Sequence, residues 1–392
     1  MMKMDGLNKN NEHLIYLISC ALCGIKANED VLGEMDLAML FPLAWNHAVS
    51  AMVCMSLEKT ETFRQAESTI KKQWLEAKNK AVRKNMLLDA ERQILLDKME
   101  KAEIWHMPLK GSILKDWYPC YGMREMADND ILFDEMKRAQ VKELFVNAGY
   151  SIEAYNKGNH DVYQKLPVLN FEMHVSLFNE SVVKDFAEKY KDIKERLLPD
   201  EDKNFRFHFR QEDFYVFVLA HAYKHYSHSG TGIRTLADIY VMNRKIGQSM
   251  DWNYVDRELK KLGIQKYEQC SRVLADKIFG SGKPLSELEL SSEEQEMLLY
   301  YLGAGTYGNV ANQVKNSLHD LQANEEEITF YTKLRYFRSR VFPGREFCKE
   351  AYPIVYQHPY LLPFFWVWRG VKCIYTNRKK VVKELFALIS SK

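Results

Sequence analysis

A chain of 392 residues is too long for one small module; at roughly 150 residues per domain it points to two or three. Its 55 basic and 53 acidic side chains leave a net charge of +2, which argues against nucleic acid held by bulk charge. With 46% hydrophobic and 12% aromatic residues the chain can fill a core, which excludes disorder, and only 18 Gly and 10 Pro favour helices over many-turned β architectures.

No apolar run reaches the roughly 18–20 residues of a membrane span. The longest, 14–25 and 360–367, fall short. The first follows Asp5 and Glu12 rather than a basic stretch, so the faint lipoprotein box Leu17-Ile18-Ser19-Cys20 is set aside. Seven scattered Cys, mostly beside apolar residues, fit a reducing compartment. The expectation is a cytoplasmic protein with no membrane partner. Cys20 and Cys23 have redox spacing but sit mid-helix among apolar residues, where buried thiols are expected.

Residues 13–103 predict helices with short breaks, the stretch 61–103 holding neither Gly nor Pro. Basic residues between Lys71 and Lys84 alternate with acids there and read as a solvated face. At residue 104 the texture changes. A short apolar run, 104–109, closes on Lys110-Gly111-Ser112, and helical spacing follows through Ile113, Leu114 and Trp117. A second β-type run is 130–133; helical spacing over 135–148 then stops at Gly149, a natural C-cap. Three more β-type runs follow at 150–155, 161–166 and 168–178. From Ser181 the helical pattern holds to the C-terminus. The expected fold is α+β: a helical N-terminal region (1–85), a core with a small mixed sheet (86–180) and a large helical C-terminal region (181–392).

Within the α/β stretch, Asp128 and Asp130 flank Asn129 at the head of a predicted strand. Residues i and i+2 share a face, so the two carboxylates repel unless a cation lies between them. Such all-oxygen chelation suits Mg²⁺ or Mn²⁺. Glu172, on a later predicted strand, brings a third carboxylate to the same edge, and three can hold two metal ions for a phosphoryl or nucleotidyl transfer. Asp-x-Asp alone is usually a turn or a cap. Lys110-Gly111-Ser112, at a strand-to-helix junction, strengthens the reading: Gly admits close backbone approach, the helix start offers N–H donors, and Lys110 and Arg124 add charge for phosphate.

Leu109-Lys110-Gly111-Ser112, Arg124 before Asp-x-Asp, and Glu172-Met173-His174 together resemble an uncharacterised bacterial nucleotidyltransferase family of the DNA polymerase β-like superfamily. The likeness covers residues 85–265, taking in His221-x₃-His225, Arg234-x₃-Asp238 and Asp251-Trp252, and reaches toward the aromatic C-terminal segment. It implies a polymerase-β-like core, with Gly111 and Ser112 holding an NTP triphosphate and Asp128 and Asp130 ligating both metals. Glu172 would ligate the catalytic metal and help deprotonate the acceptor. His174, His221 and His225 are placed at a substrate pocket. Two positions depart from the family pattern: Asn129 stands where an apolar residue usually packs behind the sheet, and the third acid is Glu, with Glu153 and Asp161 as rivals.

The implied activity is transfer of a nucleoside monophosphate from an NTP to an acceptor, with release of pyrophosphate. The acceptor, whether small molecule, peptide or protein, is unreadable. A non-catalytic nucleotide-binding scaffold or sensor is the alternative, and an RNA-extending or tRNA-modifying enzyme is disfavoured by the near-neutral charge. Phe214, Phe217, Val218, His221, His225 and His228 share one helical stripe, read as packed His in preference to zinc ligands. Ala222 stands where a zincin needs Glu. Arg234 and Asp238, at i,i+4, read as a helical ion pair.

Overall fold

The five β-type runs pair into one mixed sheet of order β1-β2-β5-β4-β3, with β1 His106–Pro108, β2 Asn129–Phe133, β3 Ser151–Ala154, β4 His160–Lys165 and β5 Leu169–His174. β2 and β5 run parallel and the other neighbours antiparallel. This computed structural model describes residues 7–33, 35–179, 184–322, 329–348 and 352–390. The chain divides into two units, residues 1–222 with 232–306, and residues 223–231 with 307–392.

Strand alternation sorts the sheet's two faces. Ile131, Phe133, Tyr163, Phe171 and Met173 point to one side, where Leu95, Leu96 and Met99 of the Ser68–Lys101 helix and Val141 and Phe145 of the Arg138–Asn147 helix close a core. Phe145 stacks on Tyr163 at 4.3 Å and meets Phe171 edge-on at 5.4 Å. The other face carries Asp130, Glu172, His174 and His160 beside the buried apolar side chains of Leu132 and Met107.

Ser68–Lys101 runs 34 residues without a break because nothing in it disfavours helix. Its length gives it two roles. Its C-terminal half packs under the sheet, and Trp74 near its start donates to the Leu37 carbonyl at 3.2 Å. Asn129 faces this helix, fully buried: its Nδ2 donates to the Leu88 carbonyl at 3.0 Å and its Oδ1 accepts from Arg92 Nη1 at 2.7 Å. The place where an apolar residue was expected is thus filled by an amide with both ends bonded.

Helices from distant parts of the chain complete the first unit. Ser19 and Cys23, on the Lys9–Cys23 helix, donate to the Phe279 carbonyl at 3.1 and 3.0 Å. Of the two thiols expected to be buried, Cys20 is, and Cys23 is half-buried. The predicted return to helix at Ser181 begins outside the described residues; Lys184–Lys189 is the first described helix beyond the sheet, and the helical run expected to hold from there is broken by a two-stranded antiparallel ribbon of Leu198–Pro199 with Phe207–His208. Gln211–His228 passes from the first unit into the second. The second unit builds a small core from Val314, Leu318, Tyr336 and Leu388. No described helix is long and apolar enough to cross a membrane.

Asn129→Ala removes both bonds of a buried amide and leaves Arg92 partly unpaired. It should cost about 1–3 kcal/mol, read as a lower urea midpoint with unchanged slope.

Candidate active site

The turn after β1 is built around one strained residue. Leu109 N–H donates to the Asp130 carbonyl at 3.0 Å, carrying the sheet one residue past Pro108. The chain then reverses at Lys110, whose φ of +45° is costly for a residue with a Cβ, about 1–3 kcal/mol. That conformation sends the ammonium back across the strand, and Lys110 Nζ lies 2.9 Å from Asp130 Oδ1. Ser112 is buried, its N–H and Oγ–H both donating to the Leu109 carbonyl at 3.3 and 2.8 Å. Its hydroxyl therefore closes the turn. Gly111 lies against Arg124: a Cβ there would meet Nη1 at 2.5 Å.

Parallel register sets Asp130 directly beside Glu172, with His174 two residues further along β5 on the same face. His174 Nε2 donates to Asp130 Oδ1 at 2.8 Å and lies 3.7 Å from Glu172 Oε2. One ligand atom from each of the three falls within 4.8 Å of the others. Of the rival acids, Asp161 faces the opposite way and is clamped by Arg138 at 2.7 and 2.8 Å, while Glu153 is exposed and accepts from Gln164. Asp128 stands two residues before Asp130, just ahead of β2.

Sequence reading missed His160. It sits opposite His174 across the β4–β5 hairpin, with ring centroids 5.1 Å apart and Nε2 3.9 Å from Glu172 Oε2. The signal was present: strands joined by only Leu166-Pro167-Val168 pair in a register that puts 160 against 174.

Charges in the cluster are unequally compensated. Burial alone would push Asp130 up, but the Lys110 ammonium and the His174 hydrogen bond outweigh it and hold the carboxyl below the usual range. Asp128 lacks such partners. Burial, then the negative charges of Asp130 and Glu172, push it up to about 7, against weaker relief from Lys110 and Arg234. Burial lowers His174 to about 4 despite Asp130, so the ring is neutral at pH 7. Two carboxylates and an imidazole form a donor set that a hard divalent cation fits, Mn²⁺ accepting the nitrogen more readily than Mg²⁺; Asp128, expected from the sequence to join them, is not among the three whose ligand atoms fall together. A cavity of about 590 Å³, lined by Cys20, Lys26, Ser56, Lys78 and Cys120 among others, touches none of these groups, so chemistry and not cavity size marks the site.

The segment leading to Asp128 is braced from both sides. Arg124 Nε and Nη2 donate to Asp238 at 2.7 and 2.9 Å, Tyr118 Oη donates to the same carboxylate at 2.7 Å, and Arg124 Nη1 lies 3.2 Å from Met126 Sδ. Arg234 does not pair with Asp238 along their helix as expected. Its Nη1 instead donates to the Glu125 carbonyl at 3.0 Å, because Asp238 is already saturated from the loop side. Opposite, Asn85 bonds the Arg124 carbonyl and the Met126 N–H at 2.9 and 3.2 Å, and Lys84 donates to the Ala127 carbonyl at 2.8 Å. Glu125 accepts from Ser50 Oγ and Ala51 N–H at 2.8 and 2.9 Å. Arg124 thus backs Gly111 as a buried brace, with most of its donors already used.

The His stripe divides. Phe214, Phe217 and Val218 are buried; His221 is half-buried in the first unit, its ring 6.4 Å from Phe217. His225 and His228 are exposed and belong to the second unit.

Two outcomes follow from these contacts. Asp128 binds its proton more tightly folded than unfolded, so its contribution to stability is complete below about pH 4 and is lost as pH climbs through 7. Without divalent metal, Asp128→Asn should therefore raise the melting temperature at pH 8 by a few degrees and leave it nearly unchanged at pH 5, as scanning calorimetry at the two pH values would show. Asp238→Ala leaves the Arg124 charge buried and unpaired; a loss of about 3–5 kcal/mol is expected, against a smaller loss for Arg124→Met/Asp238→Leu, measured by denaturant titration.

A model of the family described as uncharacterised nucleotidyltransferase matches residues 33–280. Comparison with curated proteins returns no match, and neither does comparison with solved structures. The matched segment contains the whole sheet, the strained Lys110 turn, the Asp130–Glu172–His174 cluster and the helix bearing Asp238. On that extent of match, the chain belongs to the uncharacterised nucleotidyltransferase family.

Proposed function

We propose that this chain is a polymerase-β-like nucleotidyltransferase that moves a nucleoside monophosphate from an NTP to an acceptor, releasing pyrophosphate, with Mg²⁺ or Mn²⁺ held by Asp128, Asp130 and Glu172. The observation that carries this reading is the in-register placement of Asp130 beside Glu172, on the sheet face opposite the core, with Asp128 one step ahead. Family membership supports it. Bound metal would polarise the α-phosphate and offset charge on the departing pyrophosphate.

The chain's own residues divide the remaining work. In the reaction the acceptor oxygen bonds to the α-phosphorus, the bond to the bridging oxygen breaks, and the acceptor's proton goes to Glu172. His174 stays on Asp130 and fixes the orientation of that carboxylate. Lys110, which neutralises Asp130 in the metal-free protein, would release it to the cation and turn to the triphosphate beside Gly111. Ser112 and Arg124 keep that turn in place through Leu109 and Asp238. Positioning and electrostatics supply most of the rate in such transfers. The Lys110–Asp130 pair also suits a scaffold that binds nucleotide without turnover, so pyrophosphate release separates the two readings.

The test is thermal unfolding with each of the four NTPs, in Mg²⁺ or EDTA, for the native chain and for Asp128→Asn/Asp130→Asn. A nucleotide at about a hundred times its Kd stabilises by ~2.7 kcal/mol, several degrees for a chain this size. A Mg²⁺-dependent shift that vanishes in the double variant is expected. An equal shift in EDTA and in the variant would place the nucleotide elsewhere and overturn the assignment.

A further inference from the structure

The net charge of +2 conceals a strong segregation. Residues 329–392 carry thirteen Lys and Arg against three Asp and Glu, a net charge of +10, so the preceding 328 residues carry −8. The same 64 residues hold fifteen aromatics, nearly twice the chain's 12% average.

Their last two helices turn apolar stripes outward. On Leu362–Thr376, Phe364, Val367, Trp368, Val371 and Tyr375 recur at i, i+3, i+4, i+7 and i+11, a single face that is 48–85% exposed. On Arg378–Ser390, Val382, Leu385, Phe386 and Ile389 repeat the spacing and are 42–75% exposed. Such stripes normally face a core, yet from the second helix only Leu388 joins the buried cluster. Lys372, Arg378, Lys379, Lys380 and Lys383 are exposed beside them and make no ion pair with a carboxylate among the described residues. Glu384 is already taken by Arg340 Nε and Tyr336 Oη, each at 2.6 Å. Lys372 Nζ lies 4.8 Å over the Trp368 ring, an aromatic and cation together.

We propose that these two helices dock on the surface of an anionic lipid bilayer, apolar stripes in the headgroup–acyl boundary and lysines on lipid phosphates and carboxylates. At 15 and 13 residues they are only about 20 Å long, too short to span. They match interfacial helices, in which Phe and Trp sit opposite Lys and Arg. A second copy is the poorer occupant, since two faces of a +10 segment repel. Nucleic acid is poorer too, because Val367, Val371, Leu385 and Ile389 offer nothing to phosphates or stacked bases. The expectation of no membrane partner rested on the length of apolar runs, which bears on spanning and not on surface adhesion.

Flotation of the full chain with phosphatidylcholine vesicles, with and without about 30% phosphatidylserine, tests this. Co-flotation only with the anionic vesicles is expected, weakened by salt of about 0.5 M. Lys379→Glu/Lys380→Glu/Lys383→Glu should weaken it about tenfold or more. Phe364→Ser/Val367→Ser/Phe386→Ser should abolish it at any salt while leaving the melting temperature of the first unit unchanged. Three results would overturn the proposal: no flotation with anionic vesicles, light scattering that shows a dimer dissociated by the Phe364 variant, or displacement from vesicles by single-stranded RNA.

Discussion

Parallel pairing of β2 with β5 puts Asp130 beside Glu172 on the face of the sheet opposite the Phe145–Phe171 core, and Asp128, two residues earlier, feels both charges. Three acids so close are unstable by themselves. The protein manages this by placing Lys110 and His174 on one oxygen of Asp130 and by leaving Asp128 with a raised affinity for a proton. The strained φ at Lys110 belongs to the same arrangement: from that turn after β1 the ammonium reaches Asp130 on the neighbouring β2. A site held this way is poised for a cation: binding one would relieve repulsion already present in the fold.

Holding such a cluster requires a stiff surround. The segment 124–127 is tied to the Ser68–Lys101 helix through Lys84 and Asn85, to the Arg234–Ile246 helix through Asp238 and Arg234, and to the Ser50–Leu57 helix through Glu125. Buried ion pairs of the Arg124–Asp238 kind add little net stability compared with apolar packing, but breaking one is expensive, so they make alternative loop positions costly. Asn129 serves the same end from behind the sheet. Its two amide bonds to Leu88 and Arg92 fix the strand between two acids whose mutual repulsion would otherwise spread it.

Charge is partitioned along the chain as strongly as it is concentrated at the site. The acidic first 328 residues hold the carboxylate cluster, and the basic, aromatic last 64 hold the outward stripes. Neither half is visible in a net charge of +2. An anionic nucleotide approaching the first unit must rely on local cations such as Lys110, since the surrounding residues contribute net negative charge. The basic helices of the second unit are the surface proposed above to meet anionic lipid.

Much of this was readable from residue order alone. Apolar alternation, the absence of helix breakers over 61–103 and the Gly149 stop are local signals, and local preference decides where strands and helices form. Asp128, Asp130 and Glu172 could be singled out because period two assigns a face to each strand residue without knowledge of its neighbours. What the order could not supply was pairing. Asp238 went to Arg124 instead of Arg234, His160 arrived opposite His174, and Ser112 turned its hydroxyl onto its own loop, each a contact set by sheet register or by helices far apart in sequence. The apolar stripes of the last two helices show the same limit. Their spacing is written in the sequence, but whether such a face is buried or left open depends on what packs against it, and only the tertiary structure decides that.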